Sequence, residues 1–147
     1  MLIPFFDMLS SDKTMELPIM VLKNIFGTPY NYMRVMTGEM SLDYAVEESA
    51  RLMDGLFLSR FALEDVQVGS RLVRKGDKLS ILISKASQDS AVFECPHMFS
   101  PNRSNLNDSL SFGVGDHQCL GKNFTNQMIK TLVGHLLHQK LIFFEFS

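Results

Sequence analysis

The sequence predicts a mainly α-helical fold with a small β component, formed by one globular unit. Three stretches place apolar residues at helical spacing, and one stretch between them alternates apolar with polar residues. Of the 147 residues, 46% are hydrophobic and 20% are charged, which is typical of an ordinary globular chain. We therefore expect helices on either side of a small sheet.

The first helical stretch is MELPIMVLKNIF, residues 15–26, and we expect it to end at GTPY, residues 27–30. Pro18 could form a kink in it or occupy its first turn. A clearer helix, within residues 41–53, follows Ser41, whose hydroxyl suits an N-cap. Glu48 and Arg51 are neighbours on this helix because they stand three residues apart. One face carries the mostly apolar residues Leu42, Ala45, Val46, Ser49, Leu52 and Met53.

The β component is predicted within residues 66–111. RLVRKGDKLSILIS, residues 71–84, predicts a hairpin around Lys75-Gly76-Asp77, with Leu79, Ile81 and Ile83 on one face. Prolines, asparagines and serines then predict an irregular meander over residues 88–111.

A last long helix is predicted over residues 121–138. Two rows of apolar residues indicate a buried helix: Phe124, Met128, Leu132 and Leu136 in one, and Ile129, Val133 and Leu137 in the other. His135 and His138 have a spacing that suits a metal, but no further ligands are evident. The chain ends in KLIFFEFS, residues 140–147, which is β-prone.

Charge and cysteine content exclude several classes of partner. The net charge is −2 and basic residues are scattered, so we expect neither nucleic acid nor an anionic membrane as a partner. MLIPFF is too short to span a bilayer, and we find no membrane segment. With two cysteines and no secretory signal pattern, the sequence favours a reducing, cytoplasmic setting. We interpret Cys95 as structural.

The stretch SFGVGDHQCLG, residues 111–121, contains three glycines and a cysteine just before the last helix. We expect Gly113, Gly115 and Gly121 to allow left-handed backbone and a close approach by a flat ligand. Cys119 lies at a helix N-terminus, where the helix dipole and free N–H groups favour a thiolate. A thiolate serves either as a nucleophile or as a metal ligand, and the bend alone leaves both open.

FGVGDHQCLG closely resembles the haem-binding signature of the cytochromes P-450. Its required positions are occupied by Phe112, Gly115, His117, Cys119 and Gly121. The resemblance implies that Cys119 is the proximal thiolate ligand of the iron of haem b. It also implies that Phe112 packs beside the haem near the sulfur, and that His117 meets a haem propionate.

Three distant segments carry the same resemblance. AVEESAR is similar to the Glu-x-x-Arg helix of the family, and MFSPNR to the meander segment whose arginine completes a charge triad with that pair. The implied triad is Glu48, Arg51 and Arg103. LSRFALEDVQVG resembles the segment whose arginine meets a propionate, which implies Arg60.

The segment DKTM is similar to the family's oxygen-activating region, and implies Thr14 as the residue that delivers protons, beside Asp12. Ser10 and Ser11 replace the small residues that usually precede this threonine. On this reading residues 1–30 correspond to the distal end of the central oxygen-binding helix. The chain is then the C-terminal haem-binding portion of a P-450 fold of the bacterial or fungal soluble type, and we expect a fragment or truncated product.

Three functions are compatible with the resemblance. The first is a monooxygenase that uses O₂ and two electrons on a small apolar organic substrate, with a ferredoxin or flavoprotein as donor. The second is a fungal-type nitric oxide reductase that takes electrons directly from NAD(P)H, which VGSRLVRKGD, DKTM and the unusual Asp116 favour. The third is a non-catalytic remnant that binds haem weakly or not at all.

Overall fold

Three helices, four short strands and two further helices follow one another along residues 12–139, which are the residues that this computed structural model describes. Of residues 12–14 and His117 it describes only the backbone. The helices are α1 (Asp12–Phe26), α2 (Pro29–Met36), α3 (Leu42–Arg51), α4 (Ile83–Ala86) and α5 (Lys122–His138). The strands are β1 (Phe57–Phe61), β2 (Val66–Val68), β3 (Arg71–Val73) and β4 (Lys78–Leu82). The predicted mainly helical fold with a small β component is confirmed.

The segment GTPY ends one helix and begins another. Helix α1 contains Pro18 in its interior and ends before Gly27, where a Cβ would lie 2.3 Å from the carbonyl oxygen of Lys23. Thr28 then caps α2, because its Oγ1 accepts a hydrogen bond from the Asn31 amide at 3.2 Å, and Pro29 occupies the first turn. The sequence analysis predicted the end of α1 and missed α2.

Helix α3 forms as predicted. The Ser41 hydroxyl accepts a hydrogen bond from the Asp43 amide at 3.2 Å, which makes Ser41 the N-cap. Ala45, Val46 and Ser49 on the predicted face are buried. Glu48 and Arg51 are also buried, so the helix is covered on two sides and not on one.

The core lies where α1, α3 and α5 pack together. Its buried residues on these helices are Leu17, Val21, Ile25 and Phe26, then Ala45, Val46 and Ala50, then Ile129, Val133 and Leu137. A polar contact also joins α1 and α3, since Asn24 Nδ2 donates to Ser49 Oγ at 2.9 Å.

Only one of the two apolar rows predicted for α5 lies in this core. Ile129, Val133 and Leu137 are buried, whereas in the other row Phe124 is 58% exposed, Met128 37% and Leu132 41%. Leu136, the last residue of that row, is partly buried against the core. The prediction of a wholly buried helix is therefore wrong on this face.

The predicted hairpin around Lys75-Gly76-Asp77 is also wrong. Strand β4 pairs antiparallel with β1, and β3 pairs antiparallel with β2, so that the strands form two separate two-stranded sheets. Gly69, with a φ of +59°, provides the tight turn between β2 and β3. The Gly76 amide donates to the Ala62 carbonyl at 2.8 Å, which directs β4 back to β1.

The predicted meander is irregular, as expected, apart from one short 3₁₀ turn at Leu106–Asp108. Phe93 is completely buried within it, and Asn105 Nδ2 donates to the Val92 carbonyl at 2.6 Å. Over residues 12–139, no helix is both long and apolar enough to cross a membrane.

Candidate functional site

The buried part of the site begins with two charged residues of α3. The side chains of Glu48 and Arg51 are both inaccessible to solvent. Arg51 Nε donates to Glu48 Oε2 at 2.7 Å, and Arg51 Nη2 donates to Glu48 Oε1 at 2.9 Å. This bidentate geometry follows from the spacing of three residues on a helix, and it fixes both side chains.

Arg51 directs its remaining N–H groups at the meander. Nη1 donates to the carbonyls of Ser87 at 3.0 Å and Pro96 at 2.6 Å, and Nη2 reaches the Met98 carbonyl at 3.4 Å. All five guanidinium N–H groups therefore have acceptors. The guanidinium also lies 5.0 Å from the centre of the Phe93 ring, which adds a cation–π contact.

Arg103 joins the pair from the meander itself. Its Nε donates to Glu48 Oε1 at 2.9 Å, so the structure brings Glu48, Arg51 and Arg103 together. Its Nη1 donates to the Glu94 carbonyl, and its Nη2 to the carbonyls of Cys95 at 2.8 Å and Met98 at 2.9 Å. We call Glu48, Arg51 and Arg103 the charge network.

Cys95 contributes its backbone to this arrangement. It has a φ of +45°, the one positive φ of a non-glycine residue over residues 12–139, and its carbonyl accepts from Arg103 while its side chain is exposed. A left-handed non-glycine residue carries a conformational cost that the surrounding hydrogen bonds must offset.

The second part of the site is the segment from Phe112 to Gly121, which we call the cysteine loop. Gly113 and Gly115 have φ angles of +69° and +67°, as the glycine pattern predicts. Gly121 has a φ of −81° and precedes α5 as its N-cap, so the expectation of left-handed backbone is wrong there. The loop closes on itself because the Cys119 amide donates to the Phe112 carbonyl at 2.7 Å.

The open side of the loop fits a large, flat, apolar ligand. The Cys119 thiol is free and exposed, and its neighbours Val114 and Leu120 are 64% and 91% exposed. A Cβ on Gly115 would meet no atom within 4 Å, so the space over the loop is clear. An accessible sulfur donor beside exposed apolar side chains suits haem, whose iron accepts thiolate and whose macrocycle covers apolar surface.

The other residues predicted to contact the ligand lie in the loop itself, on β1 and on α1. Phe112 is partly buried against the hydrophobic core. Arg60 lies on β1 opposite Leu79 and is exposed, with its Nη1 donating to the Ser59 carbonyl at 2.9 Å. His117 ends a short 3₁₀ turn, and Thr14 lies in the first turn of α1, but their side chains are outside the described part of the structure.

The sequence analysis missed one residue of the site. Lys122, the first residue of α5, places its Nζ 5.3 Å from the centre of the Phe112 ring and 3.0 Å from Glu47 Oε1. The sequence offered one indication of its role, because Lys122 directly follows Gly121, the last glycine of the signature. His135 and His138 are exposed, and residues 12–139 contain no group of three or more histidines, cysteines or acids suited to a metal ion.

The site combines a buried charge network with a loop that presents a free, exposed cysteine, on a mainly helical fold. The sequence profile of the family described as Cytochrome P-450 matches residues 39–141. The chain belongs to the cytochrome P-450 family, whose cofactor is haem.

Relatives and solved structures agree with this assignment. The chain is 33% identical over 124 residues to the putative cytochrome P-450 YjiB of Bacillus subtilis, covering 82% of this chain and 31% of that protein. It is 36% identical over 98 residues to the 20-oxo-5-O-mycaminosyltylactone 23-monooxygenase of Streptomyces fradiae, covering 65% and 23%. It superimposes on the CYP116B5 haem domain of Acinetobacter radioresistens with a TM-score of 0.79 and 26% identity, covering 87% and 31%. The chain thus spans a third or less of the length of each of these three proteins.

Proposed function

We propose that this chain is the haem-binding part of a cytochrome P-450 monooxygenase, which inserts one oxygen atom from O₂ into a small apolar organic substrate. The observation that carries the proposal is the exposed Cys119 thiol just before α5. The backbone of Cys119 is held there by the hydrogen bond from its amide to the Phe112 carbonyl. We assign haem b as the cofactor. When bound, haem would supply iron that activates O₂, and a thiolate ligand would favour O–O cleavage.

The residues of the chain have separate roles in this proposal. Cys119 would ligate the iron through its sulfur, and Phe112 would limit the access of water to this sulfur. Arg60 and His117 pair with the propionate carboxylates, for which Arg60 offers an exposed cation on β1. Thr14 delivers protons for the activation of O₂, and the charge network holds the meander so that the cysteine loop keeps its shape.

Relatives favour monooxygenation over nitric oxide reduction. The Streptomyces fradiae relative carries the name of a monooxygenase, whereas the reductase interpretation depends on short sequence similarities alone. We propose a ferredoxin or a flavoprotein as the electron donor. A cytoplasmic location suits a protein whose two cysteines, Cys95 and Cys119, are both free and exposed.

A haem titration tests the proposed cofactor site. We expect the chain to bind one haem, with binding lost in Cys119→Ala and retained in Cys95→Ala, which also removes an exposed thiol. Equal binding by the parent and both variants would show that Cys119 is not the ligand. No binding by the parent would favour the non-catalytic remnant.

A second assay separates the two enzymatic functions. Nitric oxide and NADH are supplied to the haem-loaded protein without any protein donor, and consumption of both is followed. We expect neither to be consumed. Stoichiometric consumption of nitric oxide and NADH would replace the monooxygenase with the reductase.

A further inference from the structure

Lys122 connects three parts of the site that are distant in sequence. Its backbone amide donates to the Cys119 carbonyl at 3.3 Å, so it is held directly after the cysteine. Its Nζ lies 3.0 Å from Glu47 Oε1 on α3 and 5.3 Å from the centre of the Phe112 ring. The side chains of Lys122 and Glu47 are 30% and 24% exposed, so water only partly screens the pair.

Glu47 is itself held in place. Asn126, one turn further along α5, donates from Nδ2 to Glu47 Oε1 at 3.2 Å. The next residue of α3 is Glu48, which lies in the charge network. Two adjacent glutamates of one helix therefore serve the two parts of the site: one anchors the meander, and the other anchors Lys122.

Lys122 also contacts the ring of Phe112, the first residue of the cysteine loop. The Phe112 carbonyl accepts the Cys119 amide at 2.7 Å, which closes the cysteine loop. A cation over the ring restricts how the ring and its backbone can move. Movement of Phe112 would lengthen or break the hydrogen bond that sets the position of the Cys119 backbone.

We propose that Lys122 is a positioning residue for the thiolate ligand. Through Glu47 it ties the start of α5 to α3, and through the Phe112 ring it holds the loop closed around the Cys119 amide. The assignment of the sulfur as a ligand rests on the proposed function, whereas the effect of Lys122 on the loop is a property of the chain alone. Lys122 has no contact with reacting atoms in this proposal.

The chain contains a matched control for this contact. Lys130 lies eight residues further along α5, about 12 Å along the helix axis, and its Nζ is 2.7 Å from Asp43 Oδ1 on the same helix α3. Its side chain is 24% exposed, close to the 30% of Lys122, whereas its partner Asp43 is 60% exposed and Glu47 is 24% exposed. The two lysines thus join the same two helices, but Lys122 also lies over Phe112.

Amide hydrogen exchange of the haem-free chain tests the positioning role. In Lys122→Met we expect the Cys119 amide to exchange about threefold to tenfold faster, the combined effect of a partly exposed ion pair and a cation–π contact. Lys122→Arg should restore the parent rate, because Arg can make both contacts. Lys130→Met should leave the Cys119 amide unchanged. Glu47→Gln should give part of the effect and provides a second variant if Lys122→Met does not fold.

The outcomes separate loop positioning from general stability. Faster exchange confined to residues 112–121 supports the proposal. Unchanged exchange in Lys122→Met and Glu47→Gln, or an equal increase at Cys119 in Lys130→Met, would overturn it.

The rate of haem release tests whether the position of the loop affects binding of the proposed ligand. Transfer of haem from the loaded protein to an apoglobin acceptor should be faster in Lys122→Met by a similar factor, and Lys122→Arg should reverse this. If the loop loosens but Cys119 binds no haem, the proposed function fails while loop positioning stands. If Cys119 binds haem and neither exchange nor release changes in Lys122→Met, the positioning role fails alone.

Discussion

The charge network and the cysteine loop hold their polar groups in opposite environments. In the charge network, Glu48 and Arg51 are inaccessible to water, and all five N–H groups of Arg51 have acceptors within the protein. In the loop, the Cys119 thiol is exposed and free, and the neighbouring Leu120 is 91% exposed. The polar groups of the charge network are bonded to other groups of the protein, whereas the thiol of the cysteine loop is available to a ligand.

Burial and hydrogen bonding therefore distinguish charged groups that stabilise the fold from groups that are available to a ligand. A buried ion pair is strongly destabilised when one partner is removed, because the other charge is left without compensation. Replacing an exposed thiol changes the free energy of unfolding little, because the side chain makes few contacts that the folded protein would lose. Loss of folding and loss of haem binding should therefore follow from changes in different regions.

The largest expected effect is that of Glu48→Ala. It leaves the guanidinium groups of Arg51 and Arg103 near each other without their shared carboxylate, so we expect the free energy of unfolding to fall by about 3–5 kcal/mol. Chemical denaturation followed by circular dichroism measures this. Glu39→Ala is the control: it removes the acid of the Arg34–Glu39 pair, in which Glu39 is 63% exposed, and we expect a loss within about 1 kcal/mol. Equal losses in both variants would contradict the comparison.

A smaller effect is expected for Arg103→Ala. Glu48 keeps its bidentate contact with Arg51 and the Ser100 amide at 2.9 Å, while the Glu94 and Cys95 carbonyls lose a donor. We expect a loss of about 1–3 kcal/mol, with the increase in amide exchange concentrated in residues 94–103. Arg60→Ala, which removes an exposed arginine, should leave stability unchanged. A uniform increase in exchange along the chain would argue against a local role in the meander.

The smallest effect is expected at Cys95. Because its φ of +45° suits glycine, Cys95→Gly should relieve about 1–2 kcal/mol of backbone cost, largely offset by the greater freedom of glycine in the unfolded chain. We expect a rise in melting temperature of a few degrees at most, and no change in Cys95→Ala, since the side chain is exposed. A lower melting temperature in both Cys95→Gly and Cys95→Ala would show that the thiol itself has a structural contact.

The elements that could be predicted from the sequence are those fixed by neighbours along the chain. Helix α3 was predictable because its cap, Ser41, and its buried face all lie within thirteen residues. Within it, the spacing of Glu48 and Arg51 fixed their ion pair. The left-handed backbone at Gly113 and Gly115 was likewise encoded locally.

The errors concern contacts between distant segments. Strand β4 pairs with β1 across some twenty residues, and the alternating pattern of residues 71–84 carries no information on which strand lies opposite. Both rows of α5 consist of apolar residues, so packing against α1 and α3 decides that Ile129 is buried and Phe124 is exposed. Arg103 was found through family resemblance, because an arginine fifty-five residues from Glu48 has no local signal.

The absorption spectrum of the ferrous carbon monoxide complex tests the identity of the iron ligand most directly. The haem-loaded protein should show the red-shifted Soret band of thiolate-ligated haem. Cys95→Ala should keep that band, and Cys119→His should shift it to the position typical of imidazole-ligated haem while the fold is retained. An unchanged thiolate-type band in Cys119→His, or in Cys119→Ala, would contradict the assignment of Cys119 as the ligand.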